Sequence, residues 1–195
     1  TIVINEINSH SPNGGDWVEL FNPNLHPVDI SGWVLEDESG GSFNLPASTT
    51  IPSGGFLVLV ENEAEFASFY PQTTNWLGNF GAGAHGFKLN NNGERITLKN
   101  ANLTQIDSVR YDNELPWPLG ADGTGHSLQL VDPKSDNALP ENWRADLPTP
   151  GLPNQLALLP QTIDFQPIGN QFTFALPIVL QATATSGLPV AFTVM

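Results

Sequence analysis

The chain has 195 residues, 20 of them acidic and 6 basic, which gives a formal charge of −14. Nucleic acid is itself a polyanion gripped mainly through Lys and Arg, and the six cations, Lys88, Arg95, Lys99, Arg110, Lys134 and Arg144, form no cluster, so nucleic-acid binding is not expected. No apolar run approaches the ~20 residues of a membrane helix, and the lack of cysteine excludes disulfides and thiolate chemistry.

Residues 1–8 (TIVINEIN) alternate apolar and polar, and residues 16–22 (DWVELFN) do the same. Further runs follow at 28–37 (VDISGWVLED), 43–45 and 51–62 (IPSGGFLVLVEN). Each is short, rich in β-branched or aromatic residues, and closed by Gly, Pro, Asn or Ser, which predicts strands of a sandwich. Residues 62–70 (NEAEFASFY) are the one helical segment: Asn62 can cap it, Glu63 and Glu65 suit its first turn, and Pro71 stops it. Strand patterns resume at 86–89, 94–99 (ERITLK), 105–111 (QIDSVRY) and 127–131 (SLQLV), with Asn-Gly turns at 90–93 and an Asn-rich turn at 100–102.

From residue 147 to 160 the chain gathers Pro148, Pro150, Gly151, Pro153 and Pro160, which reads as a stiff extended linker. Alternation returns at 161–165 (QTIDF), 178–185 (IVLQATAT) and 190–194 (VAFTV). The division expected is a main domain at 1–154, a linker at 155–160 and a second β-domain begun at 161–195. Too few strands are present after the linker to cover both faces and edges of a sandwich, so strand addition from a partner or a second copy is expected there.

Five blocks in order, 4–7 (INEI), 16–22 (DWVELFN), 30–37 (ISGWVLED), 121–131 (ADGTGHSLQLV) and 142–143 leading to 148–154 (PTPGLPN), resemble the lamin tail domain in its bacterial form. That resemblance implies an all-β, immunoglobulin-like sandwich and an accessory module rather than a catalyst. Residues 161–165 followed by 182–194 (ATATSGLPVAFTV) resemble the opening of a bacterial surface immunoglobulin-like repeat. With Thr1 in place of an initiator Met, the chain reads as a piece of a longer multi-domain protein, extracellular or at the bacterial cell surface, as its acidic, Lys-poor composition also suits.

The sharpest local inference concerns Glu6 and Glu19. If residues 1–8 and 16–22 form a hairpin, alternation aligns Ile4 with Phe21 and Ile7 with Val18, and it sets Glu6 opposite Glu19. Like charges facing one another destabilise a ladder, so an Arg (Arg95 or Arg110), a shared proton or a metal ion should compensate. Ca²⁺ is the cation that carboxylate oxygens would suit, although a scaffold role for both residues is the stronger reading; no cofactor is otherwise implied.

Trp17, Trp33 and Trp143 lie in or beside strand patterns and are expected to pack. Trp76 and Trp117 lie in turn-rich stretches, and Asp112, Asn113 and Asp122 lie near Trp117 in sequence, a composition that would suit a glycan-binding platform. Loop tryptophans more often plug the ends of a sandwich. The acidic turns at 36–39, 112–114 and 132–137 lack the spacing of a Ca²⁺ loop and read as solvated turns. His10, His26, His85 and His126 are isolated, no nucleophile elbow is present, and the Gly-rich stretches 82–86 and 120–125 lack the Lys of a phosphate loop. No catalytic assignment follows. Alternative roles are a carbohydrate-binding accessory domain and an appendage to an enzyme elsewhere in a parent chain.

Overall fold

Short β-branched and aromatic runs, closed by turn-forming residues, become the strands of two packed sheets in the computed structural model. It describes residues 1–80, 86–154, 162–165, 180–184 and 190. The chain divides into one unit spanning Thr1–Gln155 and another spanning Leu156–Met195.

In the first unit the larger sheet runs, in spatial order, β12 (Trp143–Asp146), β11 (Ser127–Leu130), β1 (Val3–Asn8), β2 (Trp17–Phe21), β7 (Phe56–Val60) and β8 (Trp76–Gly78). The smaller sheet is β10 (Gln105–Asp112), β9 (Gly93–Lys99), β4 (Val34–Asp37) and β5 (Ser42–Asn44), and β3 (Val28–Asp29) pairs with β6 (Thr50–Ile51). Pairing is antiparallel except between β7 and β8. The result is an all-β, immunoglobulin-like sandwich. Ile4, Ile7, Val18, Leu20, Leu59 and Leu128 from the larger sheet pack on Leu35, Ile96, Leu98 and Val109 from the smaller one. Period-2 alternation puts these residues on the inner faces, where removal of apolar area from water drives the fold.

The outer face of the larger sheet is covered as well. Trp17, Val58 and Val60 form a second apolar cluster with Phe66 of α1 (Glu63–Phe69). Asn62 caps this helix by accepting a hydrogen bond from the Glu65 amide at 3.2 Å, and Glu63 and Glu65 occupy its first turn, as the sequence predicts.

The first hairpin departs from the expected register at one end. Glu6 faces Glu19 and Ile7 faces Val18, but Ile4 faces Leu20 rather than Phe21, which pairs with Val3. The shift is a bulge at Asn5: one extra residue between Ile4 and Glu6 keeps both Ile4 and Ile7 in the core. Residues 86–89, expected as a strand, are irregular. Side chains rather than a neighbouring strand take the donors there: Lys88 N–H goes to Asp37 (3.3 Å), and Asn90 N–H goes to Glu94 (2.7 Å) and Tyr111 (3.0 Å). Two strands were hidden in the sequence, β8 in a stretch read as turns and β12 after a 3₁₀ turn at Pro140–Asn142.

The Pro-rich stretch is not simply a linker. Its part up to Asn154 folds onto the outer face of the larger sheet, with Thr149 and Pro150 buried. In the second unit, β13 (Ile163–Phe165) pairs antiparallel with β14 (Ala182–Ala184). The 155–160 linker, most of the patterns expected at 178–185 and 190–194, and the 82–86 turn with His85 (Gly86 excepted) lie outside the described residues.

Candidate functional site

Outward-facing residues on β1, β2 and β11 should be polar and wet in a simple sandwich. Here Glu6, Glu19, Ser127 and Gln129 are all fully buried. Covering them is the strap formed by residues 147–154. Glu6 accepts hydrogen bonds at Oε1 from the Thr149 amide (3.0 Å), from Gln129 Nε2 (3.2 Å) and from the Ser127 hydroxyl, and at Oε2 from Thr149 Oγ1 (2.9 Å). Glu19 accepts from Asn5 Nδ2 (2.9 Å) and from the Gly151 amide (2.6 Å).

The strap is pinned along its length. Gln129 Nε2 donates to Leu147 O (2.7 Å), Thr73 Oγ1 to Pro150 O (3.0 Å), and Asn154 Nδ2 to Asn5 O (3.0 Å) and Leu130 O (2.8 Å). Asn5 Nδ2 also donates to Asn154 Oδ1 at 3.1 Å. Gly151 has to be glycine: its φ is +82°, and a Cβ would lie 2.4 Å from Asn75 Oδ1 and 2.9 Å from Thr73 Cγ2.

Burial raises the pKa of both carboxyl groups, and the charge of Glu6 raises that of Glu19 further. Neither Arg expected to neutralise them does so. Arg110 pairs with Glu38 at 2.5 Å, and the Arg95 amide donates to Glu38 as well. N–H and O–H donors point at all four oxygens of the pair, a shell built for an anion and not for a cation. This donor shell favours the scaffold role of Glu6 and Glu19 over the Ca²⁺ reading. Among the described residues, no group of three or more His, Asp or Glu side chains is arranged to hold a metal ion.

The residues expected to form an aromatic platform lie apart. Trp117 is buried in the core, its ring 5.9 Å from that of Trp143, so it plugs one end of the sandwich. Trp76 is half-buried with its ring 5.9 Å from Phe66, and its Nε1 donates to Thr73 O at 3.1 Å. Asp112 and Asp122 do come together with Asn113, in a cleft that also includes His10, Tyr111 and Asn91. His10 Nδ1 lies 2.6 Å from Asp122 Oδ1, and the Glu114 amide donates to Asp112 Oδ1 at 3.0 Å. The cleft encloses about 10 Å³, room for one water and not for a sugar ring.

Near the base of the 9–15 loop, Asp16 lies against Glu61 and Glu65. Its carboxyl is pushed up to about 8, first by burial and then by the charge of Glu61. Asp107 bridges the sheets, accepting from the Ile4 amide (2.6 Å) and from Asn137 Nδ2 (2.7 Å), and burial raises its pKa too. Sequence reasoning missed Asp16 and Asp107. The signal available was an acidic residue at the start or middle of an otherwise apolar strand.

One family's sequence profile matches residues 1–113, the stretch that includes the first hairpin with its INEI and DWVELFN strands. The chain belongs to the lamin tail domain family. No curated protein matches the chain. The matched stretch of this lamin tail domain ends after β10, yet β11, β12 and the strap complete the same sheet and the same buried network.

Proposed function

We propose that the chain is a non-catalytic structural or adhesive module of a secreted or cell-surface bacterial protein with several domains. The observation that carries this reading is the closure of Glu6 and Glu19. They face one another as a carboxylate pair, and they are fully buried beneath the strap. A general acid must reach its substrate directly or through one water, and the strap occupies that approach. What the pair does instead is tie β1, through Glu6, and β2, through Glu19, to residues 149–151 near the end of the unit. A domain clipped between its two ends can hold neighbours at fixed spacing and present its loops from a rigid frame.

In the same proposal, residues 161–195 begin a second immunoglobulin-like domain that assembles by strand addition. Export is supported by the acidic, Lys-poor composition, with its charge of −14. Glycan binding through Trp76 and Trp117 loses its support to the packing of both rings. The purified chain should show no turnover on panels of ester, peptide, glycoside and phosphodiester substrates. Turnover that disappears on Glu6→Gln or Glu19→Gln would contradict the reading. Shaving of intact cells with protease should release peptides of this chain if it is surface-exposed.

A further inference from the structure

The two buried carboxylates have hydrogen-bond shells of different chemistry. Glu19 meets only N–H groups, Asn5 Nδ2 and the Gly151 amide, which donate and cannot accept. Glu6 meets two hydroxyls as well, Ser127 Oγ and Thr149 Oγ1, and a hydroxyl can turn round to accept a proton. Thr149 Oγ1 lies 2.9 Å from Glu6 Oε2, within reach in either direction. A proton on Glu6 Oε2 can thus donate to Thr149 Oγ1 while the bonds at Oε1 stay in place, whereas each Glu19 oxygen is already met by an N–H and has no hydroxyl partner.

We propose that Glu6 and Glu19 hold one proton between them, resident on Glu6, and that this proton keeps the strap of residues 147–154 latched to the sheet. When it is lost, two carboxylates stand opposite one another on adjacent strands, both shut away from water. Like charges so placed cannot both remain ionised without solvent. The strap supplies the cover, so lifting it is the shortest way to admit water. The latch therefore closes in mildly acidic surroundings and loosens in alkaline ones.

Among the described residues, no other charge directly neutralises the pair. On β11, Ser127 and Gln129 are uncharged, and on β7 the residue opposite Glu19 is Val58. β12 brings Arg144, whose Nη2 donates to Gln129 Oε1 at 3.4 Å and whose Nε lies 3.6 Å from Asp146. α1 is followed by Tyr70, a neutral phenol whose pKa burial raises to about 12. The strap itself carries no charged residue. Burial raises the pKa of both glutamates and their proximity raises that of Glu19 further, in keeping with one proton retained by the pair; the hydroxyls beside Glu6 are what place it there. This inference does not depend on where the protein resides or on what it binds.

The test uses the full 195-residue chain, with ¹³C-carboxyl NMR titration of Glu6 and Glu19. Protection of the Thr149 and Gly151 amides is followed in parallel, corrected for intrinsic exchange. The wild type should keep one carboxyl protonated well above the ordinary glutamate range, assigned to Glu6. Protection should fall by about tenfold or more, the equivalent of at least one pKa unit, as that proton leaves. Glu6→Gln should keep the strap protected at every pH, since its amide N–H₂ can donate to Thr149 Oγ1. Glu19→Gln should lose protection throughout, since its N–H₂ meets another N–H. Ordinary titration of both carboxyls would overturn the proposal. So would pH-independent protection in the wild type, or Glu6→Gln unlatching as Glu19→Gln does. If Glu19→Gln does not fold, the wild-type titration and Glu6→Gln still decide.

Discussion

The two faces of the six-stranded sheet are both buried, but in opposite ways. The inner face is apolar and packs on a second sheet, through Ile4, Ile7, Val18, Leu20 and Leu128. The outer face is covered by a short helix over Trp17, Val58 and Val60, and by a Pro-rich strap over Glu6, Glu19 and Gln129. The inner face is held by a non-directional force that asks only for close packing; the outer one depends on its donors meeting acceptors. A sheet that looks one-sided in sequence is thus two-sided in structure. Its polar side is where chemistry is concentrated.

The largest expected effects compare the two apolar clusters. Leu20→Ala on the inner face should cost about 2–5 kcal/mol, and Trp17→Ala beneath the helix about 3–5 kcal/mol, in denaturant unfolding. A cost near zero for Trp17→Ala would show that the outer cluster is incidental. Next comes Thr149→Val, which keeps the amide bond to Glu6 but removes the hydroxyl donor to Oε2. It should cost about 1–3 kcal/mol, and an unchanged unfolding midpoint would remove the strap from the stability account. Asn62→Ala deletes the cap of α1 and should cost about 0.5–2 kcal/mol, with exchange at the Glu65 amide rising before any global change.

The same comparison predicts the pH response. Glu6, Glu19, Asp16, Glu94 and Asp107 all have raised pKa values in the folded state, with burial the leading cause. A carboxyl of this kind holds its proton in the folded state after the unfolded chain has lost it. Between the unfolded value and the folded one, the native state therefore binds more protons, and stability declines as pH rises. For Asp16 that window runs from 3.8 to about 8. Asp29 and Glu38, held low by Ser31 and Arg110, act in the opposite sense at lower pH, from exposed positions. Thermal midpoints should fall between pH 5 and pH 9; a midpoint rising across that range would contradict the assignment.

The inner face was readable in the sequence because one residue in two is apolar, and the Glu6–Glu19 pairing followed from it. What alternation could not show was the bulge at Asn5, since a single inserted residue leaves local composition unchanged. Nor could it show β8, only three residues long, whose Gly78 is required because a Cβ there would lie 2.2 Å from Val60 Cγ2. The strap was read as a spacer because its prolines cannot donate to a ladder. The donors that matter are the amides between them, Thr149 and Gly151, and their partners lie some 130 to 140 residues earlier in the chain. For the same reason the sequence leaves open what compensates the facing glutamates: their actual neighbours are remote in sequence.

The measurement that bears most directly on the central claim, that the strap belongs to the sandwich, is urea unfolding of two truncated chains. One ends at Asn154 and keeps the strap; the other ends at Asp146 and lacks it. The account predicts that the first unfolds cooperatively as a monomer, whereas the second is less stable by several kcal/mol, about 1–3 for each buried acceptor left without its donor, or does not fold. Equal midpoints for the two chains would contradict it.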